Sequence, residues 1–96
     1  MRHFIIVKFK KETGKEEIAR MTEPVRELFR PLTEMPGIHG VSVSRNVVDR
    51  DNRYDLAIEI DMDREALEAY DASEPHREWK ARYGELIDKK TIIDLP

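Results

Sequence analysis

Residues 53–94, RYDLAIEIDMDREALEAYDASEPHREWKARYGELIDKKTIID, decide the fold of this chain. They open with apolar residues at every second position, which is the period of a half-buried strand: Tyr54, Leu56, Ile58 and Ile60. Two helical patterns follow. The first begins after Asp63 and ends at Tyr70, and the second follows Ser73; Asp and Ser both favour the N-cap position. A strand pattern over residues 90–95 overlaps the end of the run, so this region predicts strand, two short helices and strand.

The first strand of the chain is predicted over residues 2–10, where side chains alternate between two faces. His3 and Ile5 point to one face, whereas Phe4 and Ile6 point to the other. A sheet with one face in water would not need apolar residues on both sides. We therefore expect the second face to be covered, most simply by another subunit.

An amphipathic helix is predicted from Glu16 onward, because apolar residues recur there at steps of three and four. Pro24 removes a backbone donor inside this pattern, so we expect a kink there or a break near Thr22. Pro31 is expected to close the helix, and residues 38–46 alternate as a second strand.

The resulting order is strand, helix, two strands, two helices and strand. Four strands with helices segregated to one face predict an α+β fold, a ferredoxin-like βαββααβ sandwich with a mainly antiparallel sheet. A chain of 96 residues, 40% of them hydrophobic, has room for one modest core. Residues 1–96 are therefore predicted to form a single domain.

Charge and composition exclude several functional classes. Lys and Arg number 17 against 20 Asp and Glu, and both signs are interspersed, which argues against nucleic-acid binding. No apolar run is long enough for a membrane span and no signal peptide is evident, so a cytoplasmic protein is predicted. Cysteine is absent, and the three histidines are too dispersed for a metal site. No metal or cofactor is predicted, and the arginines, dispersed in sequence, are expected to be solvated.

Tyr70 and His76 are the most plausible acid/base pair. They lie six positions apart at the junction of the two short helices, and His76 shares a helical face with Trp79 and Tyr83. The positive end of the helix dipole disfavours imidazolium in a first turn, so this position favours a neutral base. A tyrosine hydroxyl can donate to a carbonyl oxygen that gains negative charge. The alternative is that both are half-buried packing residues with backbone or water partners.

Several segments along the chain follow one recognisable pattern: residues 3–10, 36–38, 45–46, 54–57, 63–70, His76 and residues 92–94. This pattern resembles the stress-responsive A/B barrel family, also called Dabb. The resemblance implies that two ferredoxin-like subunits put their sheets together as a dimeric α/β barrel. It also implies that four side chains line the dimer seam: Lys8, Glu59, Ile93 and Leu95.

The characterised enzymes of that family are plant polyketide cyclases, in which a tyrosine and a histidine promote an aldol-type ring closure. The resemblance places Tyr70 and His76 at those catalytic positions. It implies a small apolar or aromatic ligand held between helices and sheet by five residues: His3, Ile5, Phe29, Trp79 and Tyr83. Two family histidines are replaced in this chain, by Ser73 and by Leu56.

Three functions are therefore open at the level of sequence. The first is a pocket protein with cyclase-like or isomerase-like proton transfer by His76 and Tyr70. The second is a non-catalytic dimeric stress or structural protein. The third is a cofactor-free monooxygenase-like barrel, by similarity to a related dimeric group.

Overall fold

The computed structural model describes residues 1–96 and contains one four-stranded sheet. Its strands are β1 (Arg2–Phe9), β2 (Ile38–Arg45), β3 (Leu56–Met62) and β4 (Ile87–Leu95). The spatial order is β2-β3-β1-β4, and every neighbouring pair is antiparallel. This topology confirms the predicted ferredoxin-like class.

Three helices cover one face of the sheet: α1 (Lys15–Phe29), α2 (Leu67–Asp71) and α3 (Glu74–Tyr83). Short 3₁₀ turns adjoin them at Arg30–Glu34, Arg64–Ala66 and Gly84–Leu86. None of the helices has the length and apolar character that a membrane crossing requires.

Pro24 lies inside α1, which runs without interruption from Lys15 to Phe29. Of the two predicted outcomes, a kink or a break, the break near Thr22 does not occur. The proline removes one backbone donor. Apolar side chains before and after it hold the helix on the sheet, because four of them are buried: Ile18, Met21, Val25 and Phe29. Pro31 follows the end of α1, as predicted, in the first turn of a 3₁₀ segment.

The two predicted N-caps behave differently. The Ser73 hydroxyl accepts a hydrogen bond from the backbone N–H of His76 at 3.3 Å, which confirms the cap of α3. Asp63 makes no side-chain cap bond, and its carboxylate contacts the His39 imidazole at 2.9 Å instead. Asp63 precedes a 3₁₀ turn, in which its backbone carbonyl accepts a hydrogen bond from the Ala66 N–H at 2.9 Å.

The core lies between the helices and the sheet. Along β1 the alternate side chains are buried in it: His3, Ile5, Val7 and Phe9. The other face, here called the open face, carries the intervening side chains of β1 and their cross-strand neighbours. Its centre consists of Phe4, Ile6, Lys8, Ala57, Glu59, Ile93 and Leu95.

β4 begins at Ile87, three residues before its predicted start at Lys90. It is an edge strand, and its first half is charged and exposed: Asp88, Lys89 and Lys90. Apolar alternation therefore does not mark this half. Backbone pairing with β1 does extend along it, since Lys8 lies opposite Lys89.

Candidate functional site

A cleft of about 290 Å³ opens between α2, α3 and the paired strands β1 and β4. The cleft lies near the start of β1 and the end of β4, because these two strands are antiparallel. Its walls combine apolar, aromatic and titratable side chains: His3, Ile5, Leu67, Tyr70, Asp71, His76, Trp79, Lys80, Lys90, Ile92 and Asp94. The predicted pair thus lines one cavity between helices and sheet.

Tyr70 is 1% exposed, and its hydroxyl is buried without a hydrogen-bond partner. Burial, with a smaller contribution from the Asp71 carboxylate, raises the pKa of the phenol well above its ordinary value of 10.0. The hydroxyl is protonated at physiological pH, as an ordinary phenol is, and burial strengthens this preference. A buried donor with no acceptor is costly to the fold, and it is ready to bond a ligand oxygen.

His76 is held at both its backbone and its ring. Its backbone N–H donates to the Ser73 hydroxyl, and that hydroxyl donates to the Tyr70 carbonyl at 2.6 Å. Ring atom Nδ1 lies 2.8 Å from the backbone carbonyl of Asp71. A carbonyl oxygen can only accept, so Nδ1 carries the proton, and Nε2 of the neutral ring has a free lone pair. The His76 and Tyr70 ring centroids are 4.9 Å apart.

His3 and Asp94 form a second polar pair in the cleft. They lie opposite each other across β1 and β4, so their side chains stand on the same face of the sheet. His3 Nδ1 is 2.5 Å from Asp94 Oδ1, and the imidazole is almost fully buried. The His3 ring meets the Tyr70 ring edge-on at 5.4 Å between centroids. Tyr70 therefore lies between two imidazoles.

The predicted ligand-binding residues separate into two groups. His3, Ile5 and Trp79 line the cleft. Phe29 and Tyr83 do not; both are buried in the core and pack against Trp79, at 5.6 and 5.2 Å between ring centroids. Helical spacing places Tyr83 on the face of His76 and Trp79, but one further turn along α3 carries it beyond the cavity.

Several cleft residues were not singled out from the sequence: Leu67, Asp71, Lys80, Lys90, Ile92 and Asp94. Asp94 could have been found, because a ferredoxin-like sheet pairs the first strand with the last. Asp71 acts through its backbone carbonyl, which no side-chain pattern reveals.

The two positions that depart from the Dabb pattern have structural roles. Ser73 caps α3, and Leu56 is buried in the core. The His39 imidazole forms a hydrogen bond with the exposed Asp63 carboxylate, and His39 does not line the cleft. No group of three or more potential metal-ligating side chains occurs in the structure.

The full length of the chain matches one protein family. The sequence model of the Stress responsive A/B Barrel Domain, Dabb, matches residues 1–96. The chain belongs to the Dabb family. No functionally curated protein matches this Dabb chain significantly.

Solved structures similar to this Dabb chain share its fold. A dimeric protein of unknown function with a ferredoxin-like fold, from Bacteroides fragilis, is 14% identical with a TM-score of 0.79, covering 98% of this chain and 92% of its own. A Dabb family protein from Mesorhizobium loti is 17% identical with a TM-score of 0.68, covering 99% and 94%. The hydroxynitrile lyase of Passiflora edulis is 14% identical with a TM-score of 0.68, covering 99% and 95%.

Proposed function

We propose that the cleft binds a small apolar or aromatic carbonyl compound and catalyses proton transfer next to its carbonyl group. The observation that supports this most directly is the buried Tyr70 hydroxyl without a partner, beside an imidazole whose Nδ1 is already engaged. A donor and an acceptor are thus available at one cavity. Apolar walls from Ile5, Leu67 and Trp79 favour a hydrophobic ligand.

His76 is the general base of the proposed reaction. Its Nε2 lone pair takes a proton from the carbon next to the carbonyl, and the electrons of that C–H bond form an enolate. The Asp71 carbonyl accepts from Nδ1–H, which orients the ring and stabilises the imidazolium that forms. Return of the proton to the same or another carbon completes an isomerisation. Attack of the enolate on a second carbonyl completes a cyclisation instead.

Tyr70 is the proposed oxyanion donor. The phenol is protonated at neutral pH, and burial raises its pKa further, so it acts as a donor and not as a base. Enolate oxygen carries more charge than the ground-state carbonyl, so this hydrogen bond strengthens as the reaction proceeds. Asp94 fixes the His3 imidazole beside the Tyr70 ring, and His3 is the proposed positioning residue for Tyr70.

One relative adds support from chemistry. The Passiflora edulis protein is a hydroxynitrile lyase, so the shared fold carries an enzymatic activity in that protein. Cleavage of a hydroxynitrile requires a base for its hydroxyl proton, and a neutral imidazole is suited to such a step. The proposal for this chain rests on its own cleft, since identity to that protein is only 14%.

The experiment is hydrogen–deuterium exchange at the α-carbon of small aryl ketones, followed by NMR in deuterated buffer. The ketones used are those that, in a preliminary titration, shift the NMR resonances of residues lining the cleft. We expect His76→Gln to reduce protein-promoted exchange by roughly 10²- to 10⁴-fold, the usual contribution of general acid–base catalysis. His39→Gln is the matched control, because His39 is exposed and outside the cleft. Equal exchange in wild type and His76→Gln contradicts the proposal.

We also propose that the chain forms a homodimer through its open face. Ile93 remains 44% exposed there beside Phe4, its cross-strand neighbour. Burial of such an apolar sheet face against a second subunit removes it from water, which is favourable. Solved structures of the same fold are described as dimeric.

A non-catalytic dimer is the second candidate function. The observation that favours it is the burial of two cleft side chains, since Tyr70 and Trp79 are 1% and 2% exposed and present little surface to a ligand. Light scattering tests the assembly: Ile93→Asp is expected to halve the particle mass at low concentration. Val47→Asp, at an exposed position in the loop after β2, is expected to leave it unchanged. A wild-type monomer contradicts the dimer.

A further inference from the structure

A second hollow, of about 310 Å³, lies away from the cleft, where the loop between β2 and β3 meets the first turns of α1. We call it the basic hollow. Its lining combines charged and apolar side chains: Lys8, Lys15, Ile18, Arg45, Asn46, Val47, Val48, Asp49, Arg50, Asp51, Arg53, Tyr54 and Asp55. It shares no residue with the cleft.

The charge of the basic hollow is opposite to that of the chain. Five of its lining side chains are cationic and three are carboxylates, a net charge of +2. The whole chain carries −3. Three arginines that are separated in the sequence lie together in the structure. The β2–β3 connection brings Arg45, Arg50 and Arg53 to one cavity. A concave site with a net positive charge attracts anions.

Most of the charges in the hollow are already engaged within the protein. Lys15 pairs with Asp49, and the Asp55 carboxylate accepts from the backbone N–H of Phe9 at 2.8 Å. Lys8 Nζ donates to the backbone carbonyl of Arg53 at 2.9 Å. These contacts hold the loop against the sheet and fix the shape of the cavity.

Arg45 and Arg50 differ from the other lining cations, because their guanidinium groups make no hydrogen bond or ion pair. Five other arginines each pair with a glutamate three or four residues earlier in the chain: Arg20, Arg26, Arg30, Arg77 and Arg82. Arg2 and Arg64 also lack such partners, but neither lines the cleft or the basic hollow, whereas Arg45 and Arg50 line the basic hollow together.

An apolar side borders these cations. Ile18, Val47, Val48 and Tyr54 contribute to the lining, and Val47 is 86% exposed. Exposed valine side chains beside unpaired guanidinium groups suit a ligand with a charged head and an apolar body.

We propose that the basic hollow binds a small phosphate monoester. A guanidinium group presents a planar fork of donors that matches phosphate oxygens, and Arg45 and Arg50 supply two such forks. A phosphate monoester carries about −1.5 to −2 charges at neutral pH, which complements the local charge of +2. A volume of about 310 Å³ is at the lower end of small-molecule sites and excludes a large ligand.

The test is a titration of ¹⁵N-labelled full-length protein with phenyl phosphate, inorganic phosphate and benzoate. Phenyl phosphate is expected to shift the amide resonances of residues 45–54 and to bind more tightly than either other probe, because only it has both a phosphate and an apolar body. The double variant Arg45→Gln/Arg50→Gln is expected to weaken binding by roughly tenfold or more for each lost charge-assisted contact. Both side chains lack partners, so the variant retains the fold.

The matched control is Arg20→Gln/Arg30→Gln, which makes the same change in net charge at exposed positions in α1 and in the 3₁₀ turn that follows it. It is expected to bind phenyl phosphate within twofold of wild type. Three results overturn the proposal: no shifts near residues 45–54, equal weakening by the two double variants, or benzoate binding as tightly as phenyl phosphate. Equal weakening would reveal only a general charge effect, and tight benzoate binding would contradict the phosphate class.

Discussion

Replacing Tyr70 with phenylalanine is expected to stabilise the folded protein. The tyrosine is 1% exposed, and its hydroxyl has no hydrogen-bond partner. Folding therefore removes that hydroxyl from water without compensation, a penalty of about 1–3 kcal/mol. Phenylalanine fills almost the same volume and carries no such penalty. The aromatic contacts with His3 and His76 remain available to its ring.

The expected gain is about 1 kcal/mol in the free energy of unfolding, at the lower end of this penalty because the protein can relax around an orphan group. For a domain of this size, 1 kcal/mol corresponds to a rise in Tm of about 4–8 °C. Urea and thermal unfolding, followed by circular dichroism at equal protein concentrations, measure both quantities. Equal concentrations matter because dimerisation would also raise the apparent stability.

Tyr83→Phe is the matched control for Tyr70→Phe. The Tyr83 hydroxyl is not among the buried groups without partners, so its removal is expected to change stability little. A loss of 1 kcal/mol or more in Tyr70→Phe would refute the reasoning, because a hydroxyl with a good internal partner contributes about that much. The two interpretations of Tyr70 thus predict opposite signs.

Alkaline pH gives a second measurement on the same residue. The pKa of the Tyr70 phenol is raised in the folded state, so the folded protein holds this proton more tightly than the unfolded chain does. The corresponding stability is complete below the ordinary phenol pKa of 10.0 and is lost as pH rises beyond it. The stability advantage of Tyr70→Phe is therefore expected to widen above pH 10. An unchanged advantage contradicts the burial of the hydroxyl.

Three further perturbations test other contacts. The pKa of His39 is raised, chiefly because its side chain hydrogen-bonds Asp63. Its contribution to stability is therefore present below pH 6.5 and is lost as pH rises through its folded pKa. In Asp63→Asn the pKa of His39, measured by NMR titration, should return toward 6.5. Ser73→Ala should cost about 1 kcal/mol of unfolding free energy, because α3 loses its N-cap, and should broaden the His76 ring resonances. Phe29→Ala should cost about 3–5 kcal/mol in urea unfolding, because it leaves a cavity beneath α1.

The fold could be predicted from the sequence because its periodic patterns are strong where burial is one-sided. β1 and β3 have alternating burial along their lengths, and α1 buries residues at helical spacing. The start of β4 could not be placed, because an exposed edge strand needs no apolar alternation. The sequence could not decide between a kink and a break at Pro24 for a related reason: packing on the sheet outweighs a local backbone preference, and α1 stays continuous.

The candidate site was predicted in part. Tyr70 and His76 were found from residue type and spacing along neighbouring helices, and they line one cleft. Asp94 was missed as a site residue because its link to His3 depends on strand pairing across almost the whole chain. Helical periodicity could not separate Trp79, which lines the cleft, from Tyr83, which packs behind it.

The two cavities lie toward opposite ends of β1, which makes their proposed functions separable. His3 and Ile5 contribute to the cleft and Lys8 to the basic hollow, so three to five residues of strand, or roughly 10–17 Å, separate the two sets of positions along β1. β1 is central in the sheet and paired on both sides, so it holds them at a fixed distance. Arg45→Gln/Arg50→Gln should therefore leave ketone exchange at His76 unchanged, and His76→Gln should leave phenyl phosphate binding unchanged. Loss of ketone exchange in the arginine variant would instead require that both cavities contact one extended ligand, an assignment that the separation along β1 opposes.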